Sequence, residues 1–231
     1  MKLGCLFSGG KDSTLALFRA LQAGHEVRWL LSLFPEKPGA WMWHWPNAEI
    51  CLKQAEAMGI EIRAEKTEVG ENEELKALEK LVRPVSSEIQ GLVTGAIASR
   101  YQYERIQAFC QRIGLELYAP LWQQSPELLW QELLDLGFAV IITSVSAEGL
   151  GKEWLGRIID REALEELKGL CRKRSIHLSG EGGEFETLVL DGPIFKKALI
   201  IQKAEIEWDE KNRTGNYLIK KVSLKPKPPL K

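Results

Sequence analysis

Six residues near the start, Ser8-Gly9-Gly10-Lys11-Asp12-Ser13, join an apolar run to an amphipathic one. Lys2–Phe7 is short, apolar and followed by glycines, the pattern of a buried strand. From Ser13 to Ala23 apolar residues recur at Leu15, Ala16, Leu17, Phe18 and Leu21, which suits a helix that Gly24 stops. A strand that turns on two glycines into a helix restricts the chain to folds built with crossover helices. The turn also carries chemistry. Glycines let the backbone turn tightly and come close to a ligand. The start of the next helix favours an anion through its N–H groups and its dipole. Lys11 adds a positive charge, and Ser8 and Ser13 add hydroxyl donors. The combination points to a phosphate or pyrophosphate. It is not a Walker A loop, because the G-x-x-x-x-G-K-[ST] spacing is missing.

Strand and helix go on alternating. Val27–Phe34 reads as a strand, Ala48–Met58 as a helix, Ile60–Ala64 as a strand and Asn72–Val82 as a helix. Leu92–Gly95 is a fourth strand, Ser99–Ile113 a helix and Leu115–Ala119 a fifth strand. This alternation predicts an α/β domain over residues 1–119, a mostly parallel sheet with flanking helices. Ligands of such sheets bind beyond the carboxyl ends of the strands. After Pro120 the pattern changes, and residues 120–231 read as a smaller α+β domain. Its elements are helices at Pro126–Leu136 and Asp160–Arg174 and strands at Phe138–Val145, Phe185–Leu190, Ala198–Trp208 and Tyr217–Leu224. Asn212–Asn216 fits a hairpin turn, and Lys225–Lys231 is expected to fray.

Composition narrows the classes. With 45% hydrophobic residues and a net charge of −1, dominant disorder is excluded. No apolar run approaches the ~20 residues of a membrane span, and the start is too brief for a secretory leader. A cytoplasmic protein without a membrane partner is expected. Cys5, Cys51, Cys110 and Cys171 form no C-x-x-C pair, so they read as four small buried hydrophobes, against structural zinc or sulfur transfer. From 196 to 231 there are ten Lys and Arg against four Asp and Glu, a basic end that suits either solvent or an acidic partner. The pI of about 6.4 gives no nucleic-acid footprint across the chain, so no stable nucleic-acid partner is expected.

Three further stretches carry reactive side chains. Gly180-Glu181-Gly182-Gly183-Glu184-Phe185-Glu186-Thr187-Leu188 sets three carboxylates among glycines. If Phe185 starts a strand, Glu184 and Glu186 share a face, where they could hold Mg²⁺ or act as a general base. An idle acidic surface loop is the alternative. Thr94-Gly95-Ala96-Ile97-Ala98-Ser99-Arg100-Tyr101 runs from a strand into a helix and could receive a second anionic or nucleotide group. Tyr101 and Arg105 share a helix face there; an ordinary helix start is the alternative. Trp41-Met42-Trp43-His44-Trp45-Pro46-Asn47 reads as a lid or substrate platform, with His44 able to carry protons, or as an aromatic plug over the sheet end. His25 and His177 read as structural.

The hexapeptide Ser8–Ser13 is similar to the PP-loop signature of ATP pyrophosphatases. That resemblance implies a HUP-type α/β domain that splits ATP between its α and β phosphates, with Mg²⁺. The four stretches together resemble the diphthine–ammonia ligase family over nearly the whole chain, the GEGGEFETL run most specifically. The chain looks like a minimal archaeal form, and the C-terminal domains of eukaryotic members are not expected in it. The resemblance implies ATP-dependent amidation of the diphthine carboxylate on translation elongation factor 2 with free ammonium. An acyl adenylate would form, and AMP and pyrophosphate would be released. It implies nucleotide contacts from Ser8, Gly9, Gly10, Lys11, Asp12, Ser13, Thr94, Gly95, Ser99, Tyr101 and Arg105, and metal contacts from Asp12 and Glu186. Catalytic roles fall to Lys11, Glu181, Glu184, Glu186 and His44. Two other readings stay open: a PP-loop ligase that modifies tRNA, and a non-catalytic adenine-nucleotide sensor. A homodimer is open too.

Overall fold

The computed structural model describes residues 1–36, 47–68, 70–174 and 176–227. They form two compact units, Met1–Gln123 and Gln124–Lys231.

In the first unit, strands and helices alternate: β1 (Lys2–Leu6), α1 (Lys11–Gln22), β2 (Glu26–Pro35), α2 (Ile50–Met58), β3 (Ile62–Thr67), α3 (Glu71–Val82), β4 (Gly91–Val93), α4 (Arg100–Ile113) and β5 (Glu116–Tyr118). All four pairings are parallel, in the order β3-β2-β1-β4-β5. This is the expected parallel sheet with flanking helices. The order places β1 and β4 side by side although they are far apart in sequence. The chain winds outward one way to β3 and then the other way to β5, so the switch point lies between β1 and β4. In sheets wound this way, ligands bind beyond the carboxyl ends of the strands at the switch point.

Both faces of the sheet are covered. Leu31 and Leu33 of β2 meet Leu78, Leu81 and Val82 of α3 and Ile106, Phe109 and Cys110 of α4 in one buried cluster. Alternation along a strand turns Ser32 to the other face. There its hydroxyl accepts a hydrogen bond from Cys51 Sγ of α2 at 3.4 Å. The continuous apolar run of β2 follows from this, since it is buried from both sides.

α1 begins two residues before the expected Ser13. Gly10 is its N-cap, with extended φ −76° and ψ 171°, so Lys11 and Asp12 lie in the first helical turn. A carboxylate there suits the positive end of the helix dipole.

The second unit carries an antiparallel sheet in the order β7-β6-β9-β8. Its elements are α5 (Pro126–Asp135), β6 (Ala139–Val145), α6 (Arg161–Arg174), β7 (Phe185–Asp191), β8 (Lys197–Asp209) and β9 (Thr214–Pro226). Val140, Ile141 and Ile142 of β6 are buried. Buried Trp130 of α5 donates from Nε1 to the Leu178 carbonyl at 2.8 Å. Between β6 and α6 the backbone runs beside β6: Gly156 N donates to Ile142 O at 2.8 Å and Ile159 N to Val140 O at 2.8 Å. That segment has no periodicity to betray it in the sequence.

The β8–β9 hairpin is longer than expected. Asp209 Oδ1 accepts from the amides of Lys211 (2.8 Å) and Asn212 (3.0 Å) and closes the turn before Thr214. These bonds hold the Asp209 carboxyl below the usual carboxylate range, those from Asn212 most of all. Thr214, Gly215 and Asn216, expected in the turn, are therefore strand. At the far end Lys225 and Pro226 pair with Ala198 and Lys197 and belong to β9. Among the described residues no helix is long and apolar enough to cross a membrane.

Cys5, Cys51 and Cys110 are buried, as expected, but Cys171 is only partly so. Burial pushes the thiols of Cys51 and Cys110 up to about 12, and that of Cys5 up as well. A raised thiol pKa means less thiolate at any working pH, and the thiolate is the reactive form. A maleimide added to native protein in mildly alkaline buffer is expected to label Cys171 first. The other three should react only after unfolding, and peptide mass spectrometry reads the order. Early labelling of Cys51 would contradict this burial pattern.

Candidate active site

The loop after β1 shows its chemistry in where its carbonyls go. Gly9 has φ +80°, in the left-handed region that favours glycine. Its carbonyl accepts from Gln54 Nε2 of α2 at 2.8 Å. The Gly10 carbonyl accepts three times: from Thr14 N (3.1 Å), Thr14 Oγ1 (2.8 Å) and Ser13 Oγ (3.2 Å). Both glycine carbonyls are thus tied into the protein. Ser13 Oγ also accepts from Ser8 N at 3.3 Å and lies 3.2 Å from Ser8 Oγ, which draws the two ends of the loop together. A loop that keeps its carbonyls inward, at the start of a helix, is built for an anion.

Lys11 is 4% exposed, and its ammonium lies 2.8 Å from Asp12 Oδ2. A lysine so buried needs a charged partner. Asp12 keeps more exposure than Lys11. Among the described residues no group of three or more His, Cys, Asp or Glu could hold a metal. A magnesium ion, however, usually takes one or two carboxylates and fills its shell from phosphate oxygens and water. Asp12 fits that mode, as a single carboxylate beside a phosphate loop.

The second expected stretch meets the first. A Cβ on Gly95 would lie 2.8 Å from both Asp12 C and Ser13 N, so only glycine lets the loop after β4 lie against the start of α1. Buried Thr94 continues the parallel pairing, its N–H donating to Tyr118 O at 3.0 Å. The Ser99 hydroxyl is the N-cap of α4 and accepts from Gln102 N at 3.3 Å. Tyr101 and Arg105 do share a face. Arg105 donates to the Tyr101 hydroxyl, and its guanidinium carbon lies 4.5 Å from the ring centroid. Tyr103 stacks on Trp122 at 4.2 Å. His44 and the rest of 41–46 lie outside the described residues.

The acidic stretch belongs to the second unit. Phe185 begins β7, so Glu186 is in the strand and Glu184 stands one residue ahead of it. Glu184 Oε1 accepts from His177 N at 2.9 Å, and Oε2 is buried. The backbone carbonyl of Glu184 accepts from Ser146 N at 2.9 Å, and Ser146 Oγ donates to Gly183 O. Glu184 thus closes the loop 177–184 on itself. Its carboxylate also adds to the burial that raises the Cys171 thiol pKa. Glu181 and Glu186 are partly buried. His25 packs edge-on against Tyr118 at 4.9 Å, and His177 Nδ1 bonds with Ser179 Oγ.

Sequence reasoning missed two residues of these loops. The apolar spacing of α2, Ile50, Cys51, Leu52, Ala55 and Met58, passes over Gln54, and Ser146 gave no signal.

Residues 1–117 match the family model described as diphthamide synthase N-terminal domain, and residues 125–224 the one described as diphthamide synthase C-terminal domain. The chain belongs to the diphthamide synthase family. It is an enzyme, an ATP-dependent amide-forming ligase. The diphthine–ammonia ligase of Bos taurus is 33% identical over 227 residues, covering 89% of this chain and 85% of that protein. The Homo sapiens ligase is 32% identical over 228 residues, with the same coverage of 89% and 85%. The Schizosaccharomyces pombe ligase is 34% identical over 246 residues; the match takes in 99% of this chain but 40% of that longer protein. A solved structure titled predicted subunit of tRNA methyltransferase, from Methanocaldococcus jannaschii, is 15% identical with a TM-score of 0.44, over 84% of this chain and 98% of that one. At that distance it bears on neither fold nor function. As a ligase, the chain is not the non-catalytic nucleotide sensor that the sequence left open.

Two outcomes follow from these loops. Gly95→Ala should destabilise the protein by about 1–3 kcal/mol, because the new Cβ meets backbone that cannot swing aside. Denaturant unfolding checks it, and unchanged stability would mean that the two loops are not in contact. Glu184→Ala should speed hydrogen exchange at the His177 amide, read by NMR or mass spectrometry; equal protection would remove Glu184 from the loop closure.

Proposed function

We propose that this chain amidates the diphthine carboxylate of translation elongation factor 2 with ammonium, converting ATP to AMP and pyrophosphate. The observation that supports this most is the loop Ser8–Ser13, with both glycine carbonyls turned inward beside Lys11, at the switch point of a parallel sheet. The residues 1–119 are the ATP-binding part in this reading, and 120–231 serve the acceptor.

Ser8, Gly9, Gly10, Asp12 and Ser13 hold the triphosphate tail. Thr94, Gly95, Ser99, Tyr101 and Arg105 serve the rest of the nucleotide. A carboxylate oxygen of diphthine attacks the α-phosphorus, and the bond from that phosphorus to the bridging oxygen of the β-phosphate breaks. Pyrophosphate leaves with the electron pair. Lys11 lies where it neutralises that growing charge, the largest kind of contribution a protein makes to such a step. Asp12 would hold a Mg²⁺ beside the triphosphate, where the ion would supply positive charge; Glu186, in the second unit, is a metal ligand proposed from sequence alone. The nitrogen of ammonia then attacks the acyl carbon, the bond to AMP breaks, and the amide is formed. Ammonium first loses a proton to a carboxylate of the acidic stretch, for which Glu181, Glu184 and Glu186 are proposed; His44 is proposed from sequence alone.

The test uses purified chain, elongation factor 2 bearing diphthine, ammonium and Mg-ATP. Mass spectrometry should show the carboxyl-to-amide change on the factor, with AMP formed in step. ADP and orthophosphate, or no change in the factor, would overturn the proposal. Lys11→Ala should slow AMP formation about 100- to 1000-fold. Glu186→Gln should slow amidation while ATP still binds.

A further inference from the structure

A loop made of two glycines has a weakness. Glycine accepts positive and negative φ alike, so the peptide between Gly9 and Gly10 can rotate with little steric cost. The two ends of a trans peptide point opposite ways. When the Gly9 carbonyl faces into the protein, the Gly10 N–H faces out of it. When the peptide turns over, a carbonyl oxygen faces the anion. A triphosphate would be attracted in the first state and repelled in the second.

We propose that Gln54 is a positioning residue of the phosphate loop: its side-chain amide locks the Gly9–Gly10 peptide so that the N–H, and not the carbonyl, faces the ATP phosphates. The proposal rests on the ATP reading of this loop. Gln54 lies on α2, forty-five residues away, and is fully buried. Its Nε2 donates to Gly9 O at 2.8 Å. The fit is close: a Cβ on Gly9 would come within 2.1 Å of Gln54 Oε1. The Gly10 carbonyl is held independently by Ser13 and Thr14. The Gly9 peptide therefore depends on a distant side chain. Gln54 touches no phosphate in this account and acts through the backbone.

Two variants of the full chain separate this role from packing. Gln54→Glu keeps the size but replaces the donor with a carboxylate oxygen, which repels the Gly9 carbonyl. Gln54→Leu keeps most of the volume and donates nothing. Each is titrated calorimetrically with an ATP analogue that has a methylene between the α and β phosphates, and each is melted to verify that it is folded at the titration temperature. The analogue should bind about tenfold more weakly to the folded Gln54→Leu variant, the usual net effect of one lost hydrogen bond. It should bind more weakly still to Gln54→Glu. In turnover the loss should fall on KM for ATP more than on kcat. Folded variants that bind the analogue as tightly as the natural chain would overturn the proposal, as would a loss in kcat with KM unmoved. If the natural chain itself fails to bind the analogue, the ATP reading of the loop fails instead.

Discussion

The withdrawal of two carbonyl oxygens governs this molecule. Backbone presents N–H and C=O in equal number, and a phosphate tolerates only the first. The loop Ser8–Ser13 resolves this by sinking the Gly9 and Gly10 carbonyls into bonds with Gln54, Ser13 and Thr14. What stays on the other side is a helix start with a buried lysine beside it. The parallel sheet does the rest. Because β1 and β4 are neighbours, the loop after β4 comes against the loop after β1, and Gly95 leaves room for that approach.

Both units close a loop with side chains from elsewhere in the sequence. In the first, α2 brings Gln54 to the Gly9 carbonyl. In the second, Glu184 accepts from the His177 amide, and Ser146, thirty-seven residues away, donates to the Gly183 carbonyl. A carboxylate used in this way keeps its neighbours in place.

Much of the fold was legible in the sequence. β1, β2 and β4 were marked by their apolar runs and the crossovers by their helical spacing, whereas β3, with Arg63, Glu65 and Lys66, runs on to Thr67, beyond the expected Ala64. Helix and strand ends moved by a few residues where a local bond decided them. Gly10 starts α1 early, and Asp209 shortens the hairpin turn. The glycine loop Ser8–Ser13 and the stretch after β4 were likewise readable as turns from strand into helix, whereas their contact at Gly95 was not. Nor was Gln54. The periodicity of α2 set Leu52 among the apolar positions, yet Leu52 is 42% exposed and Gln54 is buried. A polar side chain taken inward for a backbone carbonyl looks the same in sequence as one facing water. The closure of the acidic loop was hidden for a like reason, since Ser146 reaches Gly183 only after the chain has folded.

The most direct measurement is a crystal structure of the chain with the α,β-methylene analogue of ATP. The account predicts phosphates seated against the backbone amides of residues 9–13, with the Gly9 carbonyl still on Gln54. Phosphates bound elsewhere, or a Gly9 carbonyl turned toward them, would contradict it.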